Sequence, residues 1–382
     1  MNNKPVILLA TNHSYMFYRF RRQLITALLA EYEVVLCTPF VGHEDDLRNL
    51  GLTLRNIEMD RRSINPIKDL NLIQEYKKVL DEVKPDVVIT YSIKPNVYLA
   101  PLCTKRKIPC FLHVQGLGTA FQKTGISSVA SYLYKRAAKG ARGVFFENQT
   151  NAEFFIQKGL IHQNQAVVLN GAGVSLEDYP FVERKTRKGN DASSNKLHLA
   201  YLGRFMKEKG MDELLGALEE LHQEGYPFQF DFAGFCEDEY TERLQVIEKE
   251  GWAKSHGFLN DPRPLYTLAD CVILPSWHEG ISNVLLEGAA MGCPLIASAI
   301  PGCQEAVIDQ KSGLLTEVKN QESLKQAIRM MLEKSDEERA AMGRAGRKHM
   351  EEHFSRDVVV SQTLQALHER IKKRTKSIYS GF

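Results

Sequence analysis

At 382 residues with 43% hydrophobic content, the chain is long enough for two ordinary domains with their own cores and unusually long for one. Its formal net charge of +2 hides a split: residues 1–190 hold 26 Lys+Arg against 17 Asp+Glu, and the remainder holds 23 against 30. Seven cysteines without a C-x-x-C pair argue against a disulfide or zinc framework, and no apolar run approaches the ~20 residues of a membrane span. The expectation is a cytoplasmic protein with buried thiols, one that at most rests on the inner face of a membrane.

Pro5–Ala10 is predicted as the first strand, followed by a polar, aromatic loop, Thr11–Tyr18, and a helix from Arg19 to Ala30. Further strands are predicted at 33–37, 52–57, 86–90 and 110–114, with helices near 66–83, 95–105 and 127–139. That alternation spells a doubly wound parallel sheet. Such sheets bind ligands beyond the carboxyl ends of their strands, and Thr11, His13, Arg61, Arg62, Lys94 and Asn96 fall at or just beyond those ends. Each could equally be an ordinary loop residue. His113 ends the strand 108–114, where a lone histidine on pattern alone is more often structural.

Strands at 143–147 and 165–169 close the first domain, predicted as residues 1–182. Residues 183–195, almost free of apolar side chains, read as a linker. The second domain, 196–356, opens with the strand Leu197–Leu202 and the loop Gly203–Gly210, in which Arg204 offers a bidentate fork and Lys209 a point charge. The pair suits a diphosphate, although an exposed basic loop would look the same. A strand and helix at 228–234 and 240–250 lead to the segment 255–261.

The stretch Ala269–Ala297 organises the rest. A buried strand, Cys271–Leu274, ends at Pro275; a turn delivers Glu279 and Gly280; a helix follows with Asn283 as the expected N-cap and Glu287 one turn in. Side chains lean toward a helix N-terminus, so both carboxylates are expected at an end whose free N–H groups favour a phosphate. Glu287 interrupts an apolar helix and needs a partner there. A long helical tail is predicted from Gln321 to Lys373, its last part, 357–382, returning to the first domain and ending in the basic run Lys372–Lys376.

Glu279-x7-Glu287 in the context EGISNVLLEGAAMGCPLIAS resembles the signature of the family-four retaining glycosyltransferases. The resemblance implies a GT-B fold: α/β, two Rossmann-like doubly wound domains facing each other across a cleft. It also implies a nucleotide-sugar donor. Arg204 and Lys209 are then expected on the donor diphosphate, the backbone around Phe258 and Leu259 on the base, and Glu287 on the ribose. Glu279 with Gly280 and Ile281 is expected on the sugar, with Ser282 and Asn283 near the phosphates. His113 would act on the donor sugar. Ser282 stands where this family often has Pro, which implies an adjusted loop.

Lys94-Pro-Asn-Val and His113-Val-Gln-Gly-Leu-Gly-x-x-Phe look like a subgroup that extends undecaprenyl-diphosphate-linked sugars. A UDP-sugar donor and a lipid-linked saccharide acceptor follow from that resemblance. Neither a cofactor, a metal ion nor a nucleic-acid partner is expected. The alternatives are an epimerase or hydrolase on the same architecture, or a protein that binds UDP-sugars without transferring them.

Overall fold

The computed structural model describes residues 4–60, 65–116, 126–184, 196–236 and 238–379, excluding the side chains of 126, 127, 238 and 372–379. The chain forms two compact units, residues 1–172 with 359–382, and residues 173–358. Each is a parallel sheet packed between helices.

In the first unit the strands are β1 (Val6–Ala10), β2 (Glu33–Thr38), β3 (Thr53–Asn56), β4 (Val87–Tyr91), β5 (Cys110–Val114), β6 (Gly143–Phe146) and β7 (Ala166–Val168). Their order is β3-β2-β1-β4-β5-β6-β7, all neighbours parallel. Strands such as VILLA and VVITY are near-continuously apolar because helices cover both faces of a parallel sheet. Those helices are α1 (Tyr15–Phe20), α2 (Arg22–Glu31), α3 (Glu44–Asn49), α4 (Pro66–Val83), α5 (Ala100–Lys105), α6 (Ile126–Ala138) and α7 (Gln149–Gln157). Asn65 starts α4: its side chain accepts from the N–H groups of Ile67 and Lys68, and Pro66 occupies the first turn, where no N–H is missed.

The second unit holds β8 (Leu197–Leu202), β9 (Phe228–Ala233), β10 (Ala253–Ser255), β11 (Cys271–Leu274), β12 (Leu295–Ser298) and β13 (Gly313–Thr316), in the order β10-β9-β8-β11-β12-β13. Its helices are α8 (Met211–Gln223), α9 (Asp238–Lys249), α10 (Arg263–Leu268), α11 (Asn283–Ala290), α12 (Gln321–Glu333) and α13 (Asp336–His349). Helix α14 (Arg356–Tyr379) carries the chain back into the first unit from Val359, where Leu367 joins the core.

Four expectations need correction. The loop at 11–18 is already helical from Tyr15, and the predicted helix breaks at Arg21, whose φ of −124° and ψ of 12° separate α1 from α2. The chain changes unit at Ala172–Gly173, not after 182, because Val174 bridges to Ser355 and the Arg184 guanidinium binds carbonyls of Tyr266, Thr267 and Met291. Residues 185–195 of the expected linker lie outside the described residues. The tail is three helices, the first break made at Ser335, whose hydroxyl and the Glu338 carboxylate cap each other's backbone N–H. Six cysteines are buried, whereas Cys236 is exposed.

Candidate active site

In the second unit the strand order reverses between β8 and β11, the position where open α/β sheets hold ligands. Two loops meet there. After β8, Arg204 is exposed, and its carbonyl is fixed by the Tyr201 hydroxyl at 2.8 Å. The loop continues through a 3-10 turn, Lys207–Lys209, into Gly210, whose φ is 72°. A Cβ at Gly210 would lie 2.1 Å from the Pro275 carbonyl oxygen, so only glycine lets the loops approach this closely.

After β11, Glu279 accepts from the Ser276 hydroxyl at 2.8 Å and from the Lys209 ammonium at 2.5 Å. The expected phosphate-binding cation and the expected sugar-binding carboxylate are therefore one ion pair, with side chains only 20% and 15% exposed. Gly302 supports the same loop. Its φ is 88°, and a Cβ there would come within 1.9 Å of the Gly280 carbonyl oxygen.

Helix α11 is capped by Ser282, whose hydroxyl accepts from the Leu285 N–H at 3.4 Å; the expected cap, Asn283, is the first helical residue. The Ser282 N–H already donates to the Gly302 carbonyl at 3.3 Å. Ile281 and Ser282 are buried, and Gly280 and Asn283 are half-buried. Glu287 is buried as anticipated and has a protein partner, the Tyr266 hydroxyl at 3.0 Å. Burial, with this carboxylate close by, raises the Tyr266 phenol well above its ordinary range, so it stays a donor. Past β10, Phe258 is 53% exposed and stacks on Phe235, 61% exposed, with ring centroids 4.6 Å apart; Leu259 is partly buried against the core.

In the first unit the corresponding reversal lies between β1 and β4. Thr11 is buried there, and His13 is half-buried with Nδ1 accepting from the Met16 N–H at 3.3 Å. Lys94, expected at a ligand-binding strand end, is paired at 2.7 Å with Asp69, which also accepts from the Tyr98 hydroxyl at 2.8 Å. Asn96 has its polar atoms engaged within the protein. It is fully buried, with Oδ1 accepting from the Thr90 hydroxyl and Nδ2 donating to the His113 carbonyl at 3.0 Å. Asn96 thus anchors the strand end that carries His113. Arg61, Arg62 and residues 117–121 of the subgroup motif lie outside the described residues, as do the side chains of Lys372–Lys376.

His113 itself is 1% exposed, and burial, reinforced by the Arg21 guanidinium, holds its imidazole well below the ordinary histidine range. It is a neutral ring at physiological pH. Ser276, Tyr266 and Asp69 carry no local signal in the sequence, whereas Gly302 lies in the Pro-Gly turn at 301–302, part of the stretch Pro301–Glu305 that resembles the family pattern.

Residues 6–148 match the glycosyl transferase 4-like family and residues 182–349 the glycosyl transferases group 1 family. The chain is 28% identical over 328 residues to the N,N'-diacetylbacillosaminyl-diphospho-undecaprenol alpha-1,3-N-acetylgalactosaminyltransferase of Campylobacter jejuni, covering 83% of this chain and 86% of that protein. It is 22% identical to the capsular polysaccharide biosynthesis glycosyltransferase CapM of Staphylococcus aureus, covering 85% and 89%. Among solved structures, Anabaena HepE, in complex with UDP and glucose, superposes with a TM-score of 0.75 at 17% identity, covering 95% of this chain and 99% of HepE. With a glycosyl transferase 4-like match on the first unit, a glycosyl transferases group 1 match on the second and relatives that span both, the protein is a glycosyltransferase with the GT-B fold.

Proposed function

We propose that the protein is a retaining, metal-independent transferase that moves a hexose or N-acetylhexosamine from a UDP-sugar to an undecaprenyl-diphosphate-linked saccharide. The observation that carries this reading is the Lys209–Glu279 pair at the β8/β11 reversal, beside the exposed Arg204 and the N-terminus of α11. Fixed positive charge is what a departing nucleotide diphosphate requires, and side-chain cations supply it without a metal. Glu279 and the Gly280–Ile281 backbone hold sugar hydroxyls, Ser282 and Asn283 border the phosphates, Glu287 receives the ribose, and Phe258 and Leu259 border the base. His113 acts in the transfer step. The acceptor assignment draws on the Campylobacter relative's substrate and on the basic character of residues 1–190, which also favours contact with an anionic membrane surface. Among the described residues no helix is long and apolar enough to cross a membrane.

The test is UDP release from a panel of UDP-sugars in EDTA, with and without a short polyprenyl-diphosphate-linked sugar. Acceptor-dependent release from one donor is the expected result. Release that requires a divalent cation would sink the metal-independent reading, and acceptor-independent turnover would favour a hydrolase or epimerase.

A further inference from the structure

A buried charge cluster surrounds His113. The break at Arg21 turns that side chain inward, 3% exposed, so that Nη2 donates to Glu147 Oε1 at 3.0 Å and the guanidinium packs 5.6 Å from the centre of the Tyr91 ring. Tyr91 in turn packs against the His113 ring, 4.8 Å between centroids. Glu147, at the end of β6, is 8% exposed, and its Oε1 lies 3.7 Å from His113 Nε2. Nε2 and Arg21 Nε are both buried without a hydrogen-bond partner among the described residues. A shift of about 0.7 Å would bring Nε2 to the usual N–H···O distance of ~3.0 Å from Glu147.

An ion pair at this depth is a weak source of stability, since desolvation offsets most of its attraction. Its geometry nonetheless settles which ring nitrogen faces an acceptor. We propose that Glu147, held by Arg21, is a positioning residue that keeps the His113 proton on Nε2, so that Nδ1 presents its lone pair to a substrate hydroxyl. Arg21 is needed for this arrangement. A lone buried carboxylate would draw a second proton onto the ring, whereas one neutralised by a guanidinium orients the ring and leaves it uncharged. The inference rests on the reading that His113 acts in transfer.

The test uses the full chain, labelled with 15N, in a long-range 1H–15N spectrum at neutral pH that distinguishes the two imidazole tautomers. The His113 signals are identified among those of eleven histidines by their loss in H113Q. The expected wild-type ring is the Nε2–H tautomer. In E147Q, whose amide presents either a donor or an acceptor, both tautomers should be populated, and kcat should fall about tenfold or more with little change in either KM. E147D should restore the tautomer and most of kcat, and R21K should retain the tautomer if E147Q proves too unstable to study. An Nδ1–H ring in the wild type overturns the proposal, as does a lowered melting temperature in E147Q with tautomer and kcat unchanged. H113Q separates the two possible failures: if it abolishes transfer while E147Q does not, the positioning role is wrong, and if H113Q is itself fully active, the reading of His113 is wrong.

Discussion

Lys209 and Glu279 are 70 residues apart in the chain yet share one hydrogen bond, which makes their contributions inseparable. Removing either leaves the other as a partly buried lone charge. K209A and E279A should each lower transfer about 100-fold, the scale of losing one charge-stabilising group. The double variant should fall well short of the roughly 10⁴-fold product, because each single change already removes the shared interaction. Initial rates at saturating acceptor decide it; a multiplicative loss would show two independent roles. Lys94 calls for a different design, because its bond to Asp69 gives it a structural task as well. K94A should destabilise the fold by about 2 kcal/mol, since both side chains are largely buried. K94A/D69N should recover most of that stability in a thermal melt. If Lys94 also meets the acceptor, the raised acceptor KM will persist in the double variant; a KM that recovers with stability would confine Lys94 to the fold.

Elements that depend on local pattern were legible, and those that depend on tertiary partners were not. The helix 66–83 was readable because Asn65, Pro66 and the apolar spacing all lie in one window. The break before α13 is also written locally, as Ser335-x-x-Glu338, inside a stretch whose helical spacing otherwise reads as one continuous tail. Nothing local announces the break at Arg21, whose side chain meets Glu147, 126 residues away. The candidate site follows the same rule. The positions of Glu279 and Glu287 could be read from spacing, but their partners Lys209 and Tyr266 could not. Loop shape at the site depends on glycine in the same non-local way, since Gly302 lies under Gly280. G302A should cost about 1–3 kcal/mol from its positive φ and push the Glu279–Gly280 loop outward. UDP affinity, read by calorimetry, should drop with it. Wild-type affinity in G302A would mean that this loop does not shape the donor site.

The two units keep separate cores, and both tryptophans, Trp252 and Trp277, lie in the second, so tryptophan fluorescence follows that unit while circular dichroism follows both. Acid should act on them unequally. His113, in the first unit, is held well below 6.5 by burial, so the unfolded chain binds a proton that the folded chain refuses once pH falls below about 6.5. Its contribution is complete above that value and declines on acidification by up to about 1.4 kcal/mol per pH unit. His349, in the second unit, is lowered by burial in the same sense, though less far. Asp231 there has the opposite protonation range. Burial raises its carboxyl, but hydrogen bonds from His198 and His256, each 2.7 Å, outweigh that and lower it, so its contribution persists until pH falls below about 4. Between pH 7 and 5 the dichroism melt should therefore lose more stability than the fluorescence melt. H113Q, which removes the titrating ring, should bring the two pH dependences together. Superimposable melts at every pH in the wild type would show that the units unfold as one, and would place the acid sensitivity in the whole chain instead of the strand end that carries His113.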